Sequence, residues 1–386
     1  MIEFGLPRLR LKERVLLPIV QGGMGVGVSA HRLAGSVARE GAVGTLASID
    51  LRRHHADLMH DIARSRDKDK IEAANLVALD RELSMARTIA AGAGMLAVNV
   101  MKAVSAYKDY VRQACESGAD AIVCGAGLPL DLPELTAQFP RVALIPILSD
   151  LRGIALVLKK WLRKNRPPNA IVIEHPRHAG GHLGATRIED VGDARYDFIP
   201  VIEATQALYR ELGIEGENIP LIPAGGINSH EKVRELMAAG ASAVQVGTPF
   251  AVTEEGDAHP TFKKVLAEAR PQDIVTFMSV AGLPARAVRT PWLERYLEKE
   301  PVLQRRAKQK RECTLAFDCL QVCGLRDGMA KIGQFCIDNQ LAAALRGDLQ
   351  RGLFFRGAEP LPFGAAIRPV RELIEYLLTG NREALA

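Results

Sequence analysis

The chain is predicted to be an α/β protein: a (β/α)8 TIM barrel with a helical insertion after its second strand and a helical C-terminal appendage. Three observations predict it. Eight short apolar runs, many rich in β-branched residues, alternate with helical patterns. The runs are apolar on both faces, as a parallel sheet covered on both sides requires. Glycines gather directly after them, on what would be one rim of a closed barrel. An open doubly wound sheet is the alternative arrangement of the same units.

The first run, 16–20, leads through a glycine-rich turn into a helical pattern over 29–40, whose alanines and leucine fall on one side. Further strands are expected at 43–47, 95–100, 121–124, 142–148, 170–174, 220–223 and 243–247. The connection 50–94 is unusually long and rich in His, Arg, Lys and Asp, with helical spacing in its later half, which predicts an extra helical layer or lid. Residues 1–252 are thereby assigned to the barrel and 253–386 to the appendage. The appendage carries a helix near 259–270, a basic run at 305–311 that reads as a solvated helix face, four cysteines and a last helix near 371–379.

Composition narrows the function classes. Among 386 residues, 48% are hydrophobic and 25% charged, which excludes disordered and collagen-like chains. Fifty basic against 45 acidic residues leave a net charge of only +5, spread along the chain, so nucleic acid is not an expected partner. The apolar run near the start is shorter than a signal-peptide core, and the longest uncharged stretch, 236–253, is broken by Gly240, Gly247 and Pro249. A cytoplasmic protein without a membrane span is expected, with its six cysteines as free thiols or ligands. A homo-oligomer is compatible with this composition.

Barrel active sites lie at the carboxyl ends of the strands. The seventh and eighth strands end in Gly225-Gly226 and Gly247-Thr248, the two loops that build barrel phosphate sites. Asn228, with Glu231 three positions on, resembles a helix cap and its capping-box partner, which would aim free N–H groups at an anion. A second cluster, Gly22-Gly23-Met24, expected across the barrel mouth, would let backbone lie against a flat heterocycle such as a flavin, with Met24 as an adaptable apolar wall. Single glycine turns say little; two paired loops at this spacing favour a phosphate-bearing ligand.

PIVQGGMG near the start, the Asn in AVNV, AGGHLG after the sixth strand, PAGGI after the seventh and VGTPF after the eighth resemble the nitronate monooxygenase (2-nitropropane dioxygenase) family. Flavin-type enoyl-ACP reductases share most of these motifs. The resemblance spans about residues 15–290, including a segment Gly282-Leu283-Pro284-Ala285-Arg286 after the barrel. It implies an FMN-binding barrel that oxidises alkyl nitronates or nitroalkanes with O2. By position, Gly22, Gly23 and Met24 would contact the isoalloxazine, Asn99 the flavin or substrate, and Gly180 and Gly181 the flavin edge. Gly225, Gly226, Gly247 and Thr248 would hold the phosphate, with Ser149 also within reach. The family's active-site histidine falls on His182, and an imidazole suits removal of a proton beside a nitro group or hydrogen bonding to its oxygens. Two departures leave the substrate open: Ile147 stands where some members have lysine, and Pro176-Arg177-His178 replaces an acidic-apolar lead.

Other constellations compete. His175, His178 and His182 could form a zinc triad only if three imidazoles converged from one glycine-rich loop; His175 and His178 read more simply as polar loop residues. Cys313, Cys319, Cys323 and Cys336 follow C-x5-C-x3-C-x12-C, close enough for an iron–sulfur cluster or zinc, or for small buried residues packed with Leu315 and Leu320. Cys115 and Cys124 read as core. The main rival function is an NAD(P)H-dependent flavin reductase of enoyl-ACP or quinone substrates. An IMP-dehydrogenase-like enzyme would need a cysteine in the loop after the sixth strand, and none is there. A redox-sensing protein working through the cysteines is a third class.

Overall fold

The computed structural model describes residues 4–63 and 65–381. Eight parallel strands close into a barrel: β3 (Ile19–Gln21), β4 (Val43–Ala47), β5 (Met95–Met101), β6 (Ala121–Gly125), β7 (Ala143–Leu148), β8 (Ile171–Glu174), β10 (Leu221–Ala224) and β11 (Val244–Val246). Pairing of β10 with β8 on one side and β11 on the other completes the circle. Every expected strand overlaps one of these eight. Side chains such as Val20, Ala97, Val123, Ile145, Val172 and Ile222 fill the barrel interior. The alternate residues of the same strands meet the surrounding helices, which is why these strands are apolar on both faces.

The first strand is shorter than expected. Pro18, which offers no N–H to a ladder, separates β3 from an antiparallel hairpin of β1 (Leu9–Leu11) and β2 (Arg14–Leu16). Leu9, Leu11 and Leu16 are 1% exposed or less and join the interior cluster, so the hairpin plugs one end of the barrel. At the other rim the interior is left open.

The long insertion carries helical turns at Leu51–His54 and Ala56–Ile62 and the long helix Lys68–Ala90, which packs on His31–Arg39, a helical layer as expected. The C-terminal region departs from expectation twice. It is not helical throughout: β12 (Ile274–Met278) and β13 (Pro284–Val288) form an antiparallel pair, because IVTFM and PARAV flank a turn at Gly282, a hairpin pattern rather than a helical one. Its last helix, Val370–Thr379, packs against His230–Ala238 and His31–Arg39 and so completes the helical ring. The extra material is therefore inserted before the eighth barrel helix rather than appended after it. The basic run also differs, since the helix Pro291–Arg306 ends inside it. Among the described residues no helix is long and apolar enough to cross a membrane.

Candidate active site

A cavity of about 780 Å3 opens at the carboxyl rim, within the range of roughly 300–1,000 Å3 usual for small-molecule and cofactor sites. Its lining contains Gly22, Gly23, Met24, Asn99 and Ser149 on one arc. Gly180, Gly181, His182, Gly225, Gly226, Gly247 and Thr248 line the rest. All twelve barrel residues singled out in the sequence thus meet at one cavity.

Close approach explains the glycines. A Cβ on Gly23 would stand 2.3 Å from Cβ of Asn99, so only a bare backbone passes there. Gly225 and Gly226 have φ of +110° and +71°, and a Cβ on Gly226 would fall 2.8 Å from Cβ of His178. The Gly22–Met24 turn lies beside the eighth-strand loop rather than across the mouth, because β3 pairs with β11. Met24 Sδ is 4.0 Å from the Cβ position of Gly247, and the Met24 N–H donates to Ser29 Oγ at 2.8 Å, which braces the turn.

The capping expectation needs correction. Ser229, not Asn228, caps His230–Ala238, its Oγ accepting the Lys232 N–H at 3.2 Å. Asn228 instead donates from Nδ2 to the Pro360 carbonyl at 2.8 Å. Pro360 belongs to a stretch, 355–361, that the sequence reading did not connect with the barrel. There the Gly357 N–H donates to Thr248 Oγ1 at 3.0 Å, and a Cβ on Gly180 would collide with the backbone of Arg356 and Gly357. This segment folds over the two phosphate-type loops.

His182 lies in β9 (Gly181–His182), which pairs with β13, Ala285 opposite His182 and Arg286 opposite Gly181. Its Nε2 is hydrogen-bonded to Ser279 Oγ at 3.0 Å, and its ring sits 5.8 Å from that of Phe355. Burial pushes the imidazole down to about 4, so it is neutral at neutral pH. The buried Arg286 donates from Nη1 to the carbonyls of Pro176 and Ala179 at 3.1 and 2.5 Å, fixing the loop before the histidine.

The other two histidines of that loop are occupied elsewhere. His175 pairs with Asp197 at 3.3 Å and, chiefly through burial, is also pushed down to about 4; His178 pairs with Glu359 at 2.7 Å. A zinc triad with His182 is not assembled. Cys319 lines the cavity, and Cys313, Cys323 and Cys336 lie near enough to raise its thiol further above a range already lifted by burial. Yet among the described residues no three His, Cys, Asp or Glu side chains are placed to hold a metal ion. The segment instead docks on the barrel rim, through the Ser105 N–H donating to the Cys319 carbonyl and a bridge between Val104 and Leu320. The four thiols in this arrangement do not fit a cluster or zinc. Cys115 and Cys124 are buried, as expected of core.

Sequence reasoning missed Gln245, Glu174, Ser279 and the 355–361 segment. Gln245 lines the cavity from β11, beside Gly22. Period-two alternation in VQVG places it on the interior face, a signal that was available.

Fold and site together define a barrel enzyme with a glycine-walled cofactor-sized cavity lined by the neutral imidazole of His182. A family model described as nitronate monooxygenase matches residues 8–380, and the chain belongs to that family of oxidoreductases. A probable nitronate monooxygenase of Bacillus subtilis (strain 168) is 26% identical over 292 residues, 72% of this chain and 78% of that protein. The nitronate monooxygenase of Pseudomonas aeruginosa is 32% identical over 117 residues, 30% of this chain and 31% of that protein. Two solved structures share the fold. FabK from Thermotoga maritima has a TM-score of 0.62 at 22% identity, covering 95% of this chain and 93% of its own. The nitroalkane oxidase from Streptomyces ansochromogenes has a TM-score of 0.61 at 21% identity, covering 96% and 97%.

Proposed function

We propose that this chain is an FMN-dependent oxidoreductase that oxidises alkyl nitronates and nitroalkanes with O2. The observation that carries the reading is the convergence of Gly23, Gly225, Gly226 and Gly247 on the cavity that His182 faces. A Cβ at Gly23 would meet Asn99 and one at Gly226 would meet His178, so bare backbone lines the cavity at both points, as a flat ring system joined to a phosphate requires. Gly22, Gly23 and Met24 would back the ring, Asn99, Gln245 and Ser149 would meet its polar edge, and Gly225, Gly226, Gly247 and Thr248 would hold the phosphate. Bound there, FMN supplies an electron acceptor that can pass electrons on to oxygen.

The chain's own part is to orient the substrate. Nδ1 of His182 makes no hydrogen bond among the described residues and is the polar handle for a nitro or nitronate group. Phe355 lies beside it, its ring 5.8 Å from the imidazole, and gives that side of the site an apolar wall. The test is His182→Asn: FMN is retained while turnover of nitroalkanes falls about 100-fold or more, the scale of a lost acid–base or anchoring group. Unchanged turnover removes His182 from the mechanism.

A second reading, an NAD(P)H-dependent reductase of enoyl-ACP or quinone substrates, draws support from the cavity's outer end. Leu128 and Leu156, each 39% exposed, line it together with Arg152, a setting for a longer apolar substrate. Rapid anaerobic bleaching by NADPH would favour that reading.

A further inference from the structure

Glu174 ends β8 on the carboxyl rim, in register with Ala224 of β10, and lines the same cavity as His182. Gly184, two residues beyond His182, makes room for it. A Cβ on Gly184 would lie 2.4 Å from Ser149 Oγ and 3.1 Å from Glu174 Oε2, so carboxyl, hydroxyl and histidine loop converge at one place. Among the described residues the Glu174 carboxyl has neither a hydrogen bond nor an ion pair. A half-buried acid on a cavity wall, without a partner, costs stability unless it has a task.

The imidazole, by contrast, is committed. Ser279 Oγ already accepts the Ala281 N–H at 3.2 Å, and its own proton can be given to His182 Nε2. The histidine proton then sits on Nδ1, which makes that atom a donor toward the cavity.

We propose that Glu174 takes the α-proton from neutral nitroalkanes in this site, while His182 holds the nitro group as a neutral hydrogen-bond donor. The inference rests on the nitronate-oxidising reading above. In the step, the C–H bond breaks, its electron pair becomes the carbon–nitrogen double bond of the nitronate, the nitrogen–oxygen π pair moves onto the nitro oxygen held by His182, and the proton bonds to a Glu174 oxygen. The acid then returns that proton to water through the open mouth. No oxidant is needed until the nitronate is oxidised.

The titration properties agree with this division. Burial alone lifts Glu174 to about 7, with no charge from β7, β10 or the 175–187 loop contributing, so the group can be ionised yet basic near neutral pH. His182, pushed down to about 4, is a weak base there.

The test compares holoenzyme and Glu174→Gln in two assays: anaerobic exchange of the α-hydrogen of 2-nitropropane with deuterium from solvent, and oxidation of the preformed nitronate. The expected result is that the variant's loss in exchange exceeds its loss in nitronate oxidation by about 100-fold, the lower range for a general base. The acid limb near pH 7 in wild-type exchange should vanish in the variant. Exchange by the variant at the wild-type rate, or no exchange by a wild type that oxidises nitronate, overturns the proposal. Failure of wild type to oxidise nitronate sinks the parent reading instead, and Glu174-dependent exchange would then still support this one. An infrared band of a protonated carboxyl that titrates near neutrality and is missing in Glu174→Gln gives a readout independent of turnover; its absence also overturns the proposal.

Discussion

Ser279 Oγ stands 3.0 Å from Nε2 of His182, joining a residue of the C-terminal insertion to the histidine of the barrel mouth. The backbone repeats the connection, since β9 is an edge strand of the sheet formed by β12 and β13. The imidazole is therefore aimed by chain that follows the barrel's eighth strand. Ser279→Ala removes one hydrogen bond and frees the ring to rotate. Turnover should fall about tenfold, the worth of one such bond, with FMN content unchanged. Steady-state kinetics beside a flavin assay would check it; loss of flavin in parallel would show that Ser279 acts on the fold instead.

Gly226→Ala tests the phosphate loops. At φ +71° an L-residue costs roughly 1–2 kcal/mol, and the new methyl would also press on His178. The variant should fold but bind FMN far more weakly, as seen by equilibrium dialysis of the apoprotein. Wild-type affinity would show that the phosphate sits elsewhere.

Glu174 also leaves a mark on stability. Folded, its carboxyl titrates at about 7 instead of the ordinary 4.5, so between those values the folded chain holds a proton that the unfolded chain has released. Stability is thereby lost as pH rises through that window. His182 acts oppositely: with its folded value near 4 against an ordinary 6.5, it adds stability as pH rises between them. Glu174→Gln removes only the first effect. The melting temperature of the apoprotein variant, relative to wild type, should be higher at about pH 8 than at about pH 5. A pH-independent difference would mean that the carboxyl is not raised.

Much of the barrel was legible because each strand is a short apolar run closed by its own loop, and the site because barrel chemistry gathers at strand ends. Gly225 and Thr248 could be placed from that rule alone, whereas His182, in a loop with two other histidines, was singled out by the family resemblance. Contacts between distant segments were not legible. Nothing in the local pattern of Gly357 or Pro360 announces that they bond to Thr248 and Asn228 more than 100 positions earlier. The hairpin 274–288 was hidden for a different reason: its two strands lie outside the β/α repeat and pair antiparallel, so the rhythm that marks the barrel strands does not mark them. The cysteine spacing pointed to a ligand set, but spacing carries no information on whether thiols converge.

The most direct test of the central claim is the absorbance spectrum of the purified protein, followed by identification of whatever heat releases from it. The account predicts oxidised-flavin bands and FMN released in about one equivalent per chain, one cavity holding one cofactor. A colourless protein that takes up no FMN when the cofactor is added would contradict it.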